Sequence, residues 1–433
     1  CLGSEMLKGI EKNLKENYKQ IINLKRKDQL KTKDDVPLIE AFELYMLKNF
    51  HQIKLNALTT KMLSFWEKNS LTEYDYIIIG GGIVGMSTAA EIKEKTPNAS
   101  VLILEKGTFP QGASTKNAGF ACFGSITELL ADLKTLSEAK TLEIVQNRWS
   151  GLQALRKRLG DNNLDYIANG GYELVSQKEI YCLDKIEQIN TLLKPIFKKN
   201  VFTIEDSKIH SFGFNSNNIK NLVCNTFEGQ IDTGKMIKSF ISYLRSIDIA
   251  ILNGQEVTKF NDAGNFVTVL SNGIEFKAKK LAICTNAFTK KLLPEINLYP
   301  GRGQVILTKP IEDLKFKGIF HMEEGYFYFR NLGQRILFGG GRHLDLKNET
   351  TTNFNTTAFI LNTLKDKLDQ TILQNQAYEI EHQWSGIMAF GENKTPILKN
   401  ISKNISIGVR LGGMGIAIGS QLGASIAELM LEN

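Results

Sequence analysis

Gly80-x-Gly82-x-x-Gly85, followed some 20 positions later by Glu105, has the spacing of a phosphate-holding turn. Gly80 permits a tight turn, and Gly82 lets backbone N–H groups close on a pyrophosphate. Gly85 lets the following helix pack on the strand. Glu105 ends the next apolar run, where a carboxylate can hold a ribose hydroxyl. A second run, Gln111-Gly112-Ala113-Ser114-Thr115-Lys116-Asn117-Ala118-Gly119-Phe120, is small and polar, with hydroxyls and free backbone N–H groups. It suits the pyrophosphate and ribityl chain of FAD better than the reactive half of NAD. A third run, Gly412-Gly413-Met414-Gly415, stands some 330 positions beyond the first and again precedes a helical pattern.

Other side chains are candidates for the substrate. Arg302, Arg330, Arg342 and Arg410 could each grip a carboxylate, because the guanidinium fork pairs with it bidentately. Tyr326 and Tyr328 alternate with Phe327 and Phe329, so both tyrosines should share one face of a strand and could wall a pocket. The five histidines, His51, His210, His321, His343 and His382, show no catalytic spacing and are expected at the surface or in packing. No catalytic residue is assigned from the sequence.

These residues need particular elements to hold them. Tyr76-Ile77-Ile78-Ile79 reads as a buried parallel strand entering the glycine turn, with a helix and the strand Val101-Leu102-Ile103-Leu104 behind it. Leucine spacing marks helices across 126–160, and residues 233–247 carry an amphipathic helix. Strands are expected at Ile249–Leu252, Phe266–Leu270, Ile274–Ala278 and Lys280–Ala287. Several antiparallel strands follow across 304–342, then a long helix near 354–374. The two distant glycine turns imply a cofactor domain assembled from both ends of the chain.

Composition narrows the class. Hydrophobic residues at 42% and charged residues at 23% are those of an ordinary globular protein, and a net charge of +7 is too mild to argue for nucleic acid. Five scattered cysteines, Cys1, Cys122, Cys182, Cys224 and Cys284, form no C-x-x-C pair. Neither a zinc site nor a disulfide framework is expected, no metal is assigned, and a reducing cytoplasm is the default. No apolar run reaches the length of a membrane span. Residues 1–61 read as a Lys/Glu-rich helical N-terminal extension, with Met62 as a natural start behind it.

With these motifs in hand, the chain from about 74 to 433 resembles the D-amino acid oxidase/glycine oxidase superfamily of FAD-dependent oxidoreductases. The marks are Gly80-x-Gly82-x-x-Gly85 with Glu105, Ala113-Ser114-Thr115-Lys116-Asn117-Ala118-Gly119, Thr285-Asn286-Ala287 and Pro300-Gly301-Arg302-Gly303-Gln304. Trp384-Ser385-Gly386 and Gly412-Gly413-Met414-Gly415 complete them. Phe329-Arg330 and Arg335-Ile336-Leu337-Phe338-Gly339-Gly340-Gly341 look like the gamma-glutamylputrescine oxidoreductase branch. The resemblance implies an α/β fold: a Rossmann-like FAD-binding domain intertwined with a β-sheet-rich substrate domain. The expected parts of the first are 74–150, 226–305 and 384–433, and of the second 151–225 and 306–383.

The resemblance also implies oxidation of the C–N bond of an amino acid or related amine. Hydride would pass to flavin N5, and the imine would then hydrolyse. FAD would be held by Gly80, Gly82, Gly85, Glu105, Lys106, Ser114, Thr115, Asn117, Ala118 and Gly119. Val257 would contact the adenine, and Gly413, Met414 and Gly415 the pyrimidine edge. Sarcosine-oxidase-like relatives attach FAD to a cysteine after the tryptophan motif. Ile387-Met388-Ala389-Phe390-Gly391 has none, so noncovalent FAD is expected. Those relatives also place a lysine over the flavin in a strand like Arg335–Phe338, and none stands there. The electron acceptor is therefore O2 or a quinone. The alternatives are a quinone-linked amino acid dehydrogenase of the same fold and a flavoprotein assembly factor without amine turnover.

Overall fold

The computed structural model describes residues 63–374 and 376–432. The expected extension over 1–61 and the reading of Met62 lie outside them.

The strand Glu73–Ile79 lies between Ile274–Ile283 and Val101–Leu104 and runs parallel to both. Ile405–Val409 continues the sheet on one side and Ala250–Leu252 on the other, again parallel. One face, with Ile78 and Ile103, packs against helices through Ile83, Met86 and Ile426. The other, with Ile77, Ile79 and Leu102, packs against Val267, Val269 and Leu298. Burial on both faces is why these strands are unbroken apolar runs. Val257–Asp262, Val267–Ser271 and Ile397–Ser402 complete the sheet antiparallel. This is the expected Rossmann-like half.

A second sheet holds Ile380–Phe390, Tyr299–Thr308, Arg335–Gly340, Phe327–Leu332, Ile319–Met322, Gly171–Val175, Asn221–Asn225 and Phe202–Ile204, in that spatial order. Its core is aromatic; Phe320 and Phe329 are cross-strand partners whose rings stack at 4.7 Å. Tyr299–Thr308 and Ile380–Phe390 pair along their length in this sheet. The boundaries expected at 305/306 and 383/384 thus run through strands rather than between them.

Early and late parts of the described residues meet at three helices. Gly415–Leu431 packs on Ile83–Lys95 and on Glu138–Leu159. Small residues set the spacing: a Cβ on Gly423 would lie 2.5 Å from Ser87 Cβ, and one on Gly151 would lie 2.2 Å from the Ala417 carbonyl oxygen. Small contacts allow close helix axes.

Three elements differ from expectation. Ile274–Ala278 and Lys280–Ala287 are one strand, Ile274–Ile283. Its first half alternates because one face meets solvent, and its end is fully buried beside Glu73–Ile79. The long helix near 354–374 is Ala358–Lys367 with a wider turn at Leu368–Ile372. It starts only after Thr357, whose N–H is held by Gln304 Oε1 at 2.8 Å. Tyr326 lies in the turn before Phe327–Leu332, its N–H bonded to the Glu323 carbonyl at 3.0 Å. It therefore does not share a strand face with Tyr328.

Candidate active site

A cavity of about 300 Å³ is lined from both sheets. That is the scale of small-molecule and cofactor sites. At one end stand Gly80, Gly82, Glu105, Lys106, Ser114, Val257 and Phe288, and at the other Phe120, Glu128, His321, Gly325 and Tyr328. Asn117, Ala118 and the turn Gly412 to Gly415 line it as well.

The first end is a backbone cradle. Gly80 has φ +108°, and a Cβ there would lie 2.7 Å from the Cys284 carbonyl oxygen. Only glycine fits. Glu105 holds the turn with both oxygens: Oε2 accepts from Gly81 N–H and Oε1 from Gly107 N–H, each at 2.8 Å. The helix Ile83–Lys95 starts at Gly82, which offers no side-chain cap, and Ser114 Oγ accepts from Ile83 N–H at 2.9 Å. The helix Gly415–Leu431 also lacks a side-chain cap at its start. Uncapped helix starts leave N–H donors and positive dipole ends for anionic groups. A Cβ on Gly413 or Gly415 would have no atom within 4 Å, because both border open space. A long, anionic dinucleotide fits such a cradle. Lys106 Nζ lies 3.6 Å from the centre of the Phe288 ring, and burial pulls its pKa down.

Gly85, Thr115 and Gly119 do not line the cavity, although all three were expected to touch the cofactor. Gly85 faces the Gly80 carbonyl. The Thr115 hydroxyl turns away to the Pro110 carbonyl at 2.7 Å. Gly119, with φ +75°, backs on to the Ile231 carbonyl and the Arg330 guanidinium. They shape the wall from behind.

The other end is built on a strand pair. His321 and Tyr328 face each other across Ile319–Met322 and Phe327–Leu332. Phe120 meets both rings edge-on, at 5.4 and 5.6 Å. Gly339 makes room for Tyr328, since a Cβ there would lie 2.8 Å from its ring. Burial lifts the Tyr328 hydroxyl to about 12, so it stays protonated. Burial also lowers the His321 pKa, so the ring is neutral near pH 7, and its Nε2 has no partner among the described residues. Cys122 lines this end too, and burial pushes its thiol well up, leaving no reactive thiolate.

Of the expected substrate residues, only Tyr328 reaches the cavity. Arg302 is locked to buried Glu349, with Nη2 and Nε at 2.7 and 2.8 Å from its oxygens. Arg330 is buried behind Gly119, and desolvation pulls its pKa to about 10. Arg342 lies over the Phe390 ring at 4.0 Å. Arg410 bonds the Thr395 and Asn297 carbonyls. Tyr326 is exposed and stacks on His343 at 4.2 Å. Trp384 donates to the Lys116 carbonyl at 3.0 Å.

Sequence reading expected His321 at the surface or in packing, and passed over Glu128. Ser125-x-x-Glu128 is a capping box on the helix Ile126–Thr135. Glu128 Oε2 accepts from Ser125 N–H at 3.2 Å, and the carboxyl group sits against Gly325.

Two buried acids hold the segment that carries these groups. Glu228 Oε1 accepts from Phe123 and Gly124 N–H, at 2.9 and 3.3 Å. Glu173 accepts from the Ser125 hydroxyl at 3.0 Å and from Thr127 N–H at 3.2 Å. Burial pushes Glu228 up to about 8 and Glu173 to about 7, from an ordinary value of 4.5. The folded chain thus holds more protons than the unfolded one from about pH 4.5 to pH 7–8. Stability therefore falls as pH rises through that window, by up to ~1.4 kcal/mol per unit per group. Glu228→Gln, which keeps an acceptor for Phe123, should be more stable than the parent at pH 8 and nearly equal at pH 5. Urea unfolding at both values checks this. An unchanged pH slope would remove Glu228 as its source.

A cofactor cradle drawn from distant parts of the chain, facing a largely antiparallel sheet across one cavity, defines a Rossmann-type flavoenzyme. Residues 75–429 match the family described as FAD dependent oxidoreductase, DAO. The chain belongs to that family of enzymes, and FAD is its cofactor.

Among its relatives, a D-amino acid dehydrogenase of Helicobacter pylori is 23% identical over 404 residues, covering 82% of this chain and 94% of the other. L-2-hydroxyglutarate dehydrogenase of Escherichia coli is 24% identical over 231 residues, 53% of this chain. The chain spans only 51% of the length of that relative. The crystal structure of L-proline dehydrogenase from P. horikoshii superposes with a TM-score of 0.69 at 17% identity, covering 83% of this chain and 94% of that one. The fold is shared at that distance. No helix among the described residues is long and apolar enough to cross a membrane.

Proposed function

We propose that the chain oxidises the C–N bond of an amino acid or related amine. FAD supplies the two-electron acceptor for this chemistry. The cavity carries the reading: it runs without interruption from the dinucleotide cradle to the His321–Tyr328 face. Gly80, Gly82, Glu105, Ser114, Asn117 and Val257 hold the nucleotide half, and Gly413 to Gly415 border the reactive half. FAD is held noncovalently, since Ile387 to Gly391 contain no cysteine. Phe120 and Tyr328 exclude water and orient the substrate, while His321 offers a neutral acceptor for an amine N–H.

The motif run from Phe329 to Gly341 supports the gamma-glutamylputrescine oxidoreductase branch. The name of the Helicobacter pylori relative supports a dehydrogenase, with a quinone in place of O2 as acceptor. The test is anaerobic mixing of holo-protein with D-amino acids, glycine, sarcosine, gamma-glutamyl amines and simple alkylamines and diamines. One class should bleach the visible flavin absorbance, and readmitted air should restore it slowly beside a soluble quinone. If every amine leaves the flavin oxidised, the proposal fails.

A further inference from the structure

We propose that the sheet end of the cavity recognises an ammonium group, so that the substrate is an alkylamine or diamine with no α-carboxylate. This rests on the amine-oxidation reading above and narrows its substrate.

The charges on the cavity wall decide the point. Its acidic and basic residues are Glu105, Lys106, Lys116, Glu128, Glu256 and Lys291. Both oxygens of Glu105 are held by backbone N–H groups. Lys291 is paired with Glu256 at 3.0 Å. Lys106 and Lys116 direct their ammonium groups at the rings of Phe288 and Phe354, at 3.6 and 5.2 Å from the centroids. Glu128 differs. Oε2 is bound within its capping box, and Oε1 has no hydrogen bond among the described residues. Gly325, at φ +79°, leaves the room its carboxyl group occupies: a Cβ there would lie 3.0 Å from Glu128 Cδ.

A second polar side chain lines the same end. His321 is 5% exposed, and its Nε2 has no partner among the described residues. Burial keeps the ring neutral, so it sets no positive charge against a bound cation. The charge of Glu128 is felt at this ring. Glu173 and Glu228, the nearby acids, are buried and spent on backbone and hydroxyl donors. No arginine among the described residues lines the cavity, so the fork that would grip an α-carboxylate is missing from the described wall. A carboxylate placed here would instead meet Glu128 as a like charge.

The test uses two probes of equal length and opposite charge, n-butylamine and butyrate. Each is titrated into holo-protein under anaerobic conditions, and the flavin difference spectrum gives the dissociation constant. Butylamine should bind at least about ten-fold more tightly than butyrate, the effect of one charge-assisted hydrogen bond. Glu128→Gln should erase that preference at unchanged flavin content, because glutamine keeps the capping box. Glu128→Asp, which keeps the charge, should retain part of it. Tighter binding of butyrate, no spectral change with either probe, or an unaltered preference in Glu128→Gln would each overturn the proposal. If butylamine binds through Glu128 yet no amine reduces the flavin, recognition stands and the oxidation reading falls.

Discussion

Gly85→Val is expected to lose both bound flavin and the cooperative fold. A Cβ at Gly85 would lie 2.0 Å from the Gly80 carbonyl oxygen and 3.1 Å from Ile78 Cγ2. The glycine turn cannot retreat, because Gly80 is itself backed by the Cys284 carbonyl. The clash falls on backbone atoms rather than a movable side-chain end, so the penalty should reach about 3 kcal/mol or more. Against a total stability of ~5–15 kcal/mol, that is a large share. Thermal melting and the ratio of flavin to protein absorbance check it. Gly413→Val separates the two losses: its Cβ meets no protein atom, so the protein should melt normally and arrive without flavin. A Gly85→Val protein with parental melting and full flavin would refute the packing argument.

Arg302→Met should lower stability by about 3–5 kcal/mol, as expected when one partner of a buried ion pair is removed. Arg302 and Glu349 have side chains 3% and 0% exposed. Gln304 Nε2 also donates to Glu349 Oε1 at 2.8 Å. The variant leaves a buried carboxylate with the Gln304 amide and the Thr357 hydroxyl as donors and no charge compensation. Replacing both residues, as Arg302→Met with Glu349→Met, should recover much of the loss, since two apolar side chains leave no orphaned charge. Urea unfolding of the parent, Arg302→Met, Glu349→Met and the double variant gives the coupling. Equal stability of parent and Arg302→Met would remove the pair from the list of stabilising contacts.

The glycine cradle of the candidate site was legible because it is local. Gly80 to Glu105 is a strand, turn, helix and strand in one stretch, and Gly85 answers to the Gly80 carbonyl inside it. The distant turn at Gly412 could be read for the same reason, as a strand followed by a helix start. The substrate half is assembled by register. His321 meets Tyr328 only because Ile319–Met322 pairs with Phe327–Leu332, and nothing in the local pattern of either strand fixes that pairing. Arginine misled for a related reason. A guanidinium suits substrate carboxylates and buried ion pairs equally, and the partner of Arg302 lies 47 positions away at Glu349. Glu128 was hidden by its second role, since a capping box accounts for a glutamate at that position.

The helix Gly415–Leu431 seals the cradle begun at Gly80, and this gives the chain a timetable. A ribosome completes Glu105 roughly 15–60 s before it reaches Gly415, at ~5–20 residues per second. Through that interval Ile83–Lys95 lacks the helix it packs against, and the glycine turn lacks its opposite wall. The closed cradle therefore forms only once Gly415–Leu431 has been made, and until then the nascent chain exposes the apolar face of Ile83–Lys95.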